Sequence, residues 1–173
     1  MMEQFANWLY VTPPSVLIQT HSAWVIPTIQ SVHIVAIGIS VGAVLMIDLR
    51  VLGLAGRDQT LRETTDRFGP WLSWSMVVLL VTGVLMIIGE PPRELLAISF
   101  WLKMLLVAVA TLIMAAFLIS LRRNEQHWER TLLNSLGIKL LAVVTLFIWV
   151  GIIFMGRMIG YDFVWGLLFG SPA

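Results

Sequence analysis

Four long runs that are almost free of charge divide the chain: residues 23–47, 70–89, 95–121 (with Lys103 inside) and 131–156 (with Lys139 inside). They hold 25, 20, 27 and 26 residues, and a bilayer core of ~30 Å is crossed by ~20 helical residues. Helices buried in soluble proteins seldom stay apolar over such lengths. The pattern predicts four transmembrane helices, at about 23–47, 70–89, 98–121 and 134–160, forming one all-α polytopic bundle over residues 23–160. The first 22 residues lack a basic stretch and carry Glu3, Pro13 and Pro14, which does not fit a cleavable signal peptide. Phe5, Trp8, Leu9, Val16 and Leu17, with Trp24 just beyond, predict instead a broken amphipathic segment lying at the membrane interface. Residues 161–173 read as an interfacial tail.

Charge orients the bundle. Arg50, Arg57, Arg62 and Arg67 follow the first run, and Arg122, Arg123 and Arg130 follow the third, whereas the 89–94 connection has only Arg93, beside Glu90 and Glu94. By the positive-inside rule the first and third connections are cytoplasmic and both termini are outside, as in a multi-pass protein of a bacterial inner membrane. Trp24, Trp101 and Trp165 then mark the outer interface and Trp71, Trp74 and Trp128 the inner one, with Trp149 left in mid-span. Composition agrees: 58% of the residues are hydrophobic and 12% are charged, about half the charged share of a soluble domain. The net charge of +1 gives no basis for binding nucleic acid. Without cysteine there are no disulfides, thiolate metal sites, iron–sulfur clusters or covalent haem attachment.

Ionisable side chains within spans are costly, and they mark functional sites. Asp48, Arg50 and Lys139 stand at cytoplasmic helix ends and read as interfacial charges that snorkel or pair. His33, Lys103 and Arg157 all fall in the outer half once alternate helices are reversed, with Met86 near the same depth. His33 lies nine residues past Trp24, ~13 Å into its span. At 100° per residue Gln30, His33, Ile37, Ser40, Val44 and Asp48 form one stripe, and Ser75, Thr82 and Met86 another. Ser31, Gly38 and Gly42 make a small-residue face, as does the Gly156–Gly160 pair. An imidazole near the midplane with cations closer to the surface suits a b-type haem. His33 would bind iron, Lys103 or Arg157 would meet the propionates, and the sixth ligand would be Met86, a methionine of the fourth span, water or nothing. His21 and His127 lie outside the spans, so a second histidine ligand from the same chain is not expected. No phosphate loop, nucleophile elbow or zinc-protease motif is present.

The stretch of residues 24–57, with His33, Gly42, Asp48, Leu49 and Arg50 in an H-x8-G-x5-D-L-R pattern, resembles a bacterial family of small four-helix membrane proteins of unassigned function. More distantly it is similar to HemJ-type protoporphyrinogen oxidases and CopD-type copper-resistance membrane proteins. That resemblance implies a first-span histidine holding haem and, in Trp101-Leu102-Lys103, an activity-linked lysine. The expected function is therefore a haem-b-binding redox or electron-transfer protein, with porphyrinogen oxidation as its enzymatic form and the quinone pool or a redox protein as electron partner. Two alternatives stand beside it. One is copper handling through His33 with Met86, Met104, Met155 or Met158. The other is a non-catalytic subunit packed into a homo-oligomer or a larger membrane complex.

Overall fold

The structure is a computed structural model that describes residues 1–130 and 135–161. The start of the fourth run at 131–134 lies outside the described residues, as do Trp165 and the rest of the tail from residue 162.

Two short helices come first, α1 (Met2–Tyr10) and α2 (Pro13–Thr20). The break between them is set by Pro13 and Pro14: a proline disfavours helical geometry in the residue before it and is well suited to the first helical turn. Thr12 is accordingly extended (φ −71°, ψ 149°), and its hydroxyl donates back to the Leu9 carbonyl at 2.7 Å. Four long helices follow: α3 (Ser22–Leu52), α4 (Leu61–Gly89), α6 (Ile98–Arg123) and α8 (Leu136–Met158), the last continued by a 3-10 turn, Ile159–Tyr161. The short helices α5 (Pro91–Leu95) and α7 (Glu125–Arg130) sit in the connections. Every long helix is apolar and long enough to cross a bilayer, and many large side chains face outward, among them Trp74, Leu80, Leu112 and Phe147. The chain is an all-α, multi-pass membrane protein.

α4 starts nine residues before Pro70, so Arg62, Glu63, Asp66 and Arg67 belong to a helix rather than a loop. Its start is a capping box: the Glu63 backbone N–H donates to the Thr60 hydroxyl at 3.1 Å, and the Thr60 N–H donates to the Glu63 carboxylate at 2.7 Å. α3 stops at Gly53, in the left-handed region at φ +72°, with the Leu54 N–H returning to the Leu49 carbonyl at 2.9 Å. An added Cβ is strained there but unhindered at Gly38, which has open space around it. We expect Gly53→Ala to cost about 1 kcal/mol, and Gly38→Ala to be neutral or slightly stabilising. Thermal melts of the two variants in detergent check this.

α3 packs along α4 and α6 along α8, and α3 joins the two pairs through α8, whereas α4 and α6 touch only sparsely. The central core is Ala43, Val44, Leu72, Ala110, Trp149 and Ile152, so the mid-span Trp149 is a core residue. Trp128, expected at an interface, is also buried and donates its indole N–H to the Ser120 hydroxyl at 3.0 Å. The Gly38 and Gly42 face makes no close contact with the described residues, and both glycines are exposed. Helices α1 and α2 pack on α5 and α4 at one end of the bundle; the arginine-rich segments form the other.

Candidate functional site

One face of α3 carries a series of buried polar groups, His33, Ser40 and Asp48, spaced by seven and eight residues, about two turns each. Each meets a hydroxyl of a neighbouring helix at 2.7 Å: His33 Nδ1 meets Thr82 of α4, Ser40 meets Ser75 of α4, and Asp48 accepts from Thr145 of α8. Thr82 also donates to the Val78 carbonyl at 2.7 Å. A hydroxyl has one proton, so the arrangement satisfying both contacts has His33 donating from Nδ1–H and Thr82 accepting. A neutral ring in this arrangement carries its lone pair on Nε2. That nitrogen makes no hydrogen bond to the described residues, among which no fully buried side-chain nitrogen or oxygen lacks a partner; Nε2 is therefore accessible, and the His33 side chain lines a cavity.

The cavity, about 190 Å³, occupies the gap between α4 and α6. His33, Met86, Glu94, Lys103, Met104 and Trp149 are among its walls. Its lining runs from Met76 to Ile87 on α4 and from Phe100 to Thr111 on α6, a cleft ~16 Å long by helical rise. Lys103 lies against Gly156, where an added Cβ would come within 3.7 Å of its Cδ, Cε and Nζ. Glu94 reaches in from α5 and is only 6% exposed. Burial pushes its carboxyl above the usual carboxylate range, an effect only partly offset by the charges of Lys103 and Arg93.

Three of the four residues expected to hold a cofactor, His33, Met86 and Lys103, thus share one cavity. Arg157 does not. Its side chain is exposed, with the guanidinium over the Tyr161 ring at 5.5 Å from the centroid. The reason is helical phase: Gly156 faces Lys103, so the next residue, turned by ~100°, points away. Met155 and Met158 do not line the cavity, whereas Met104 does. Asp48, read from sequence as an interfacial charge, is instead buried against Thr145. Arg50 pairs with Glu129 at 3.4 Å. Among the described residues no group of three or more histidine and acidic side chains could hold a metal ion. Sequence reasoning missed Glu94 as a wall residue; its signal was a lone acid after Pro91-Pro92, a turn that folds back over the helix ends.

No match is found among curated proteins or among solved structures. The sequence profile of a family described as "family of unknown function (DUF6644)" matches residues 8–162, a span that includes every wall of this cavity. The chain belongs to the DUF6644 family.

Proposed function

We propose that this cavity binds haem b through His33, making the chain a haem-binding membrane protein of redox type. The observation that carries the reading is the anchoring of His33, whose Nδ1 meets Thr82 at 2.7 Å while its ring lines a largely apolar cleft together with Lys103 and Met86. Histidine ligands in proteins are commonly held in this way through their other ring nitrogen. The donor set fits the group: Lys103 would offer a cation for a propionate, and Met86 and Met104 would offer thioether donors for the iron. The enclosed volume of about 190 Å³ is below the ~300 Å³ of small ligand pockets. The contact between α4 and α6 is sparse, and a haem would need that gap to widen in order to enter. When bound, haem supplies one-electron transfer at its iron. Thr82 holds the imidazole in its tautomer, Glu94 and Lys103 balance charge at the mouth, and the apolar walls exclude water.

The resemblance to HemJ-type oxidases supports the same ligand and makes Lys103, in Trp101-Leu102-Lys103, the residue on which a porphyrinogen-oxidising activity would depend. The arginine distribution supports placement in a bacterial inner membrane, with the quinone pool or a redox protein as electron partner. Met86 and Met104 beside His33 favour Cu(I) as the second reading.

The test is an absorption spectrum of the detergent-purified protein, oxidised and dithionite-reduced, with a pyridine haemochrome assay. We expect a b-type signal in the wild type that His33→Ala abolishes. A colourless protein produced with ample haem overturns the reading, and Cu(I) uptake under reducing conditions would then identify the copper site.

A further inference from the structure

A second cavity, about 310 Å³, lies toward the arginine-rich end between α6 and α8 and shares no wall with the first. Asp48, Phe117, Ser120, Trp128 and Thr145 line it together with aliphatic side chains. Asp48 is 6% exposed. Its Oδ2 accepts the Thr145 hydroxyl at 2.7 Å, while Oδ1 takes no hydrogen bond from the described residues. Among the described residues no basic side chain lines the cavity. Arg50, two residues on, is occupied by the Gln59 carbonyl at 2.8 Å and by Glu129. Lys139 of α8 is not among the walls, and Arg122 and Arg123 of α6 and Arg67 of α4 are exposed. Phe117 and Trp128 pack edge to face, with centroids 5.1 Å apart at 89°, and Trp128 is fixed by its bond to Ser120.

From this juxtaposition we infer that the cavity is a binding site for an organic ammonium ion carried on an apolar body. A carboxyl group among apolar walls, with no cation among the described side chains lining its cavity, gains most from a ligand that brings positive charge. Two aromatic rings in the same wall attract an ammonium ion through their faces. The aliphatic remainder suits its hydrocarbon part, and the volume is that of a small ligand site. Anions are repelled by Asp48, and so is the phosphate of a phospholipid headgroup, which makes a free amphiphilic amine the better occupant. The inference is independent of the haem reading, because it uses none of that site's residues.

Equilibrium dialysis of the full chain in detergent tests it, with benzyltrimethylammonium as a permanent cation and neopentylbenzene as its uncharged isostere, the retention of each counted above that of protein-free micelles. We expect the wild type to retain the cation and not the isostere. Asp48→Asn should weaken cation binding at least about tenfold, Asp48→Glu should preserve it, and Phe117→Leu should weaken it severalfold. Equal retention of the neutral isostere overturns the inference, as does failure of the wild type to bind the cation. Unchanged binding in Asp48→Asn also overturns it, leaving Asp48 as a tie between α3 and α8. The wild-type comparison decides the matter even if Asp48→Asn does not fold.

Discussion

Thr82→Val is expected to weaken haem binding at His33 by about 10- to 100-fold, the usual cost of removing the group that orients a metal-bound histidine. Valine matches threonine in shape but offers no acceptor, so the His33 Nδ1–H, which now meets Thr82 at 2.7 Å, loses its partner. Leaving that N–H buried and unsatisfied costs ~1–3 kcal/mol, and the ring is free to take the other tautomer or turn from the cleft. Thr82→Ser keeps the oxygen and should bind like the wild type. The measurement is haem titration into apo-protein followed in the Soret band, with circular dichroism to show that all three proteins remain helical. The Thr82 hydroxyl also bonds the Val78 carbonyl, a common device within a helix. If Thr82→Val takes up haem as tightly as the wild type, that local bond is all Thr82 provides, and the orientation argument for His33 fails.

The four spans were legible because an apolar run of twenty or more residues has few other uses. The early start of α4 was legible too, in the Thr60–Glu63 spacing, but the charges up to Arg67 and the proline at 70 disguised it. The buried face of α3 follows from the 100° repeat, which by itself places His33, Ser40, Val44 and Asp48 on one stripe. What periodicity cannot supply is the rotation of one helix relative to another. It groups Thr82 with Met86 but does not show that Thr82 is the hydroxyl opposite His33. It sets Arg157 at the depth of Lys103 but not on which side of Gly156 the lysine passes. Asp48 misled for a related reason. Two residues from Arg50 at a helix end, it reads as half of a surface pair. The partner of Arg50 is Glu129, 79 residues away, and Asp48 turns inward to Thr145.

That distant pair carries the second large effect. Glu129 is the brace of the arginine-rich end: one carboxylate oxygen accepts the backbone N–H of Leu61 at the start of α4, and the other meets Arg50 at the end of α3. The Arg50 and Glu129 side chains are 12% and 26% exposed, against 52% and 35% for the neighbouring Arg62–Glu125 pair. Charge-assisted bonds out of solvent are worth ~1.5–3 kcal/mol each, and exposed pairs ~0–1 kcal/mol. Glu129→Ala should therefore lower the unfolding free energy by about 2–3 kcal/mol, and Glu129→Gln by less, since an amide oxygen can still accept from Leu61. Glu125→Ala should cost under ~1 kcal/mol, and added salt should erase that loss first. Denaturant titrations followed by circular dichroism separate the variants, and equal losses at 125 and 129 would refute the bracing role. The consequence reaches the ligand sites, because Trp128 is the residue before Glu129 and forms a wall of the Asp48 cavity. Releasing α7 should slacken that wall and weaken ammonium binding while leaving any b-type signal from the proposed His33 site unchanged, as the two cavities share no wall.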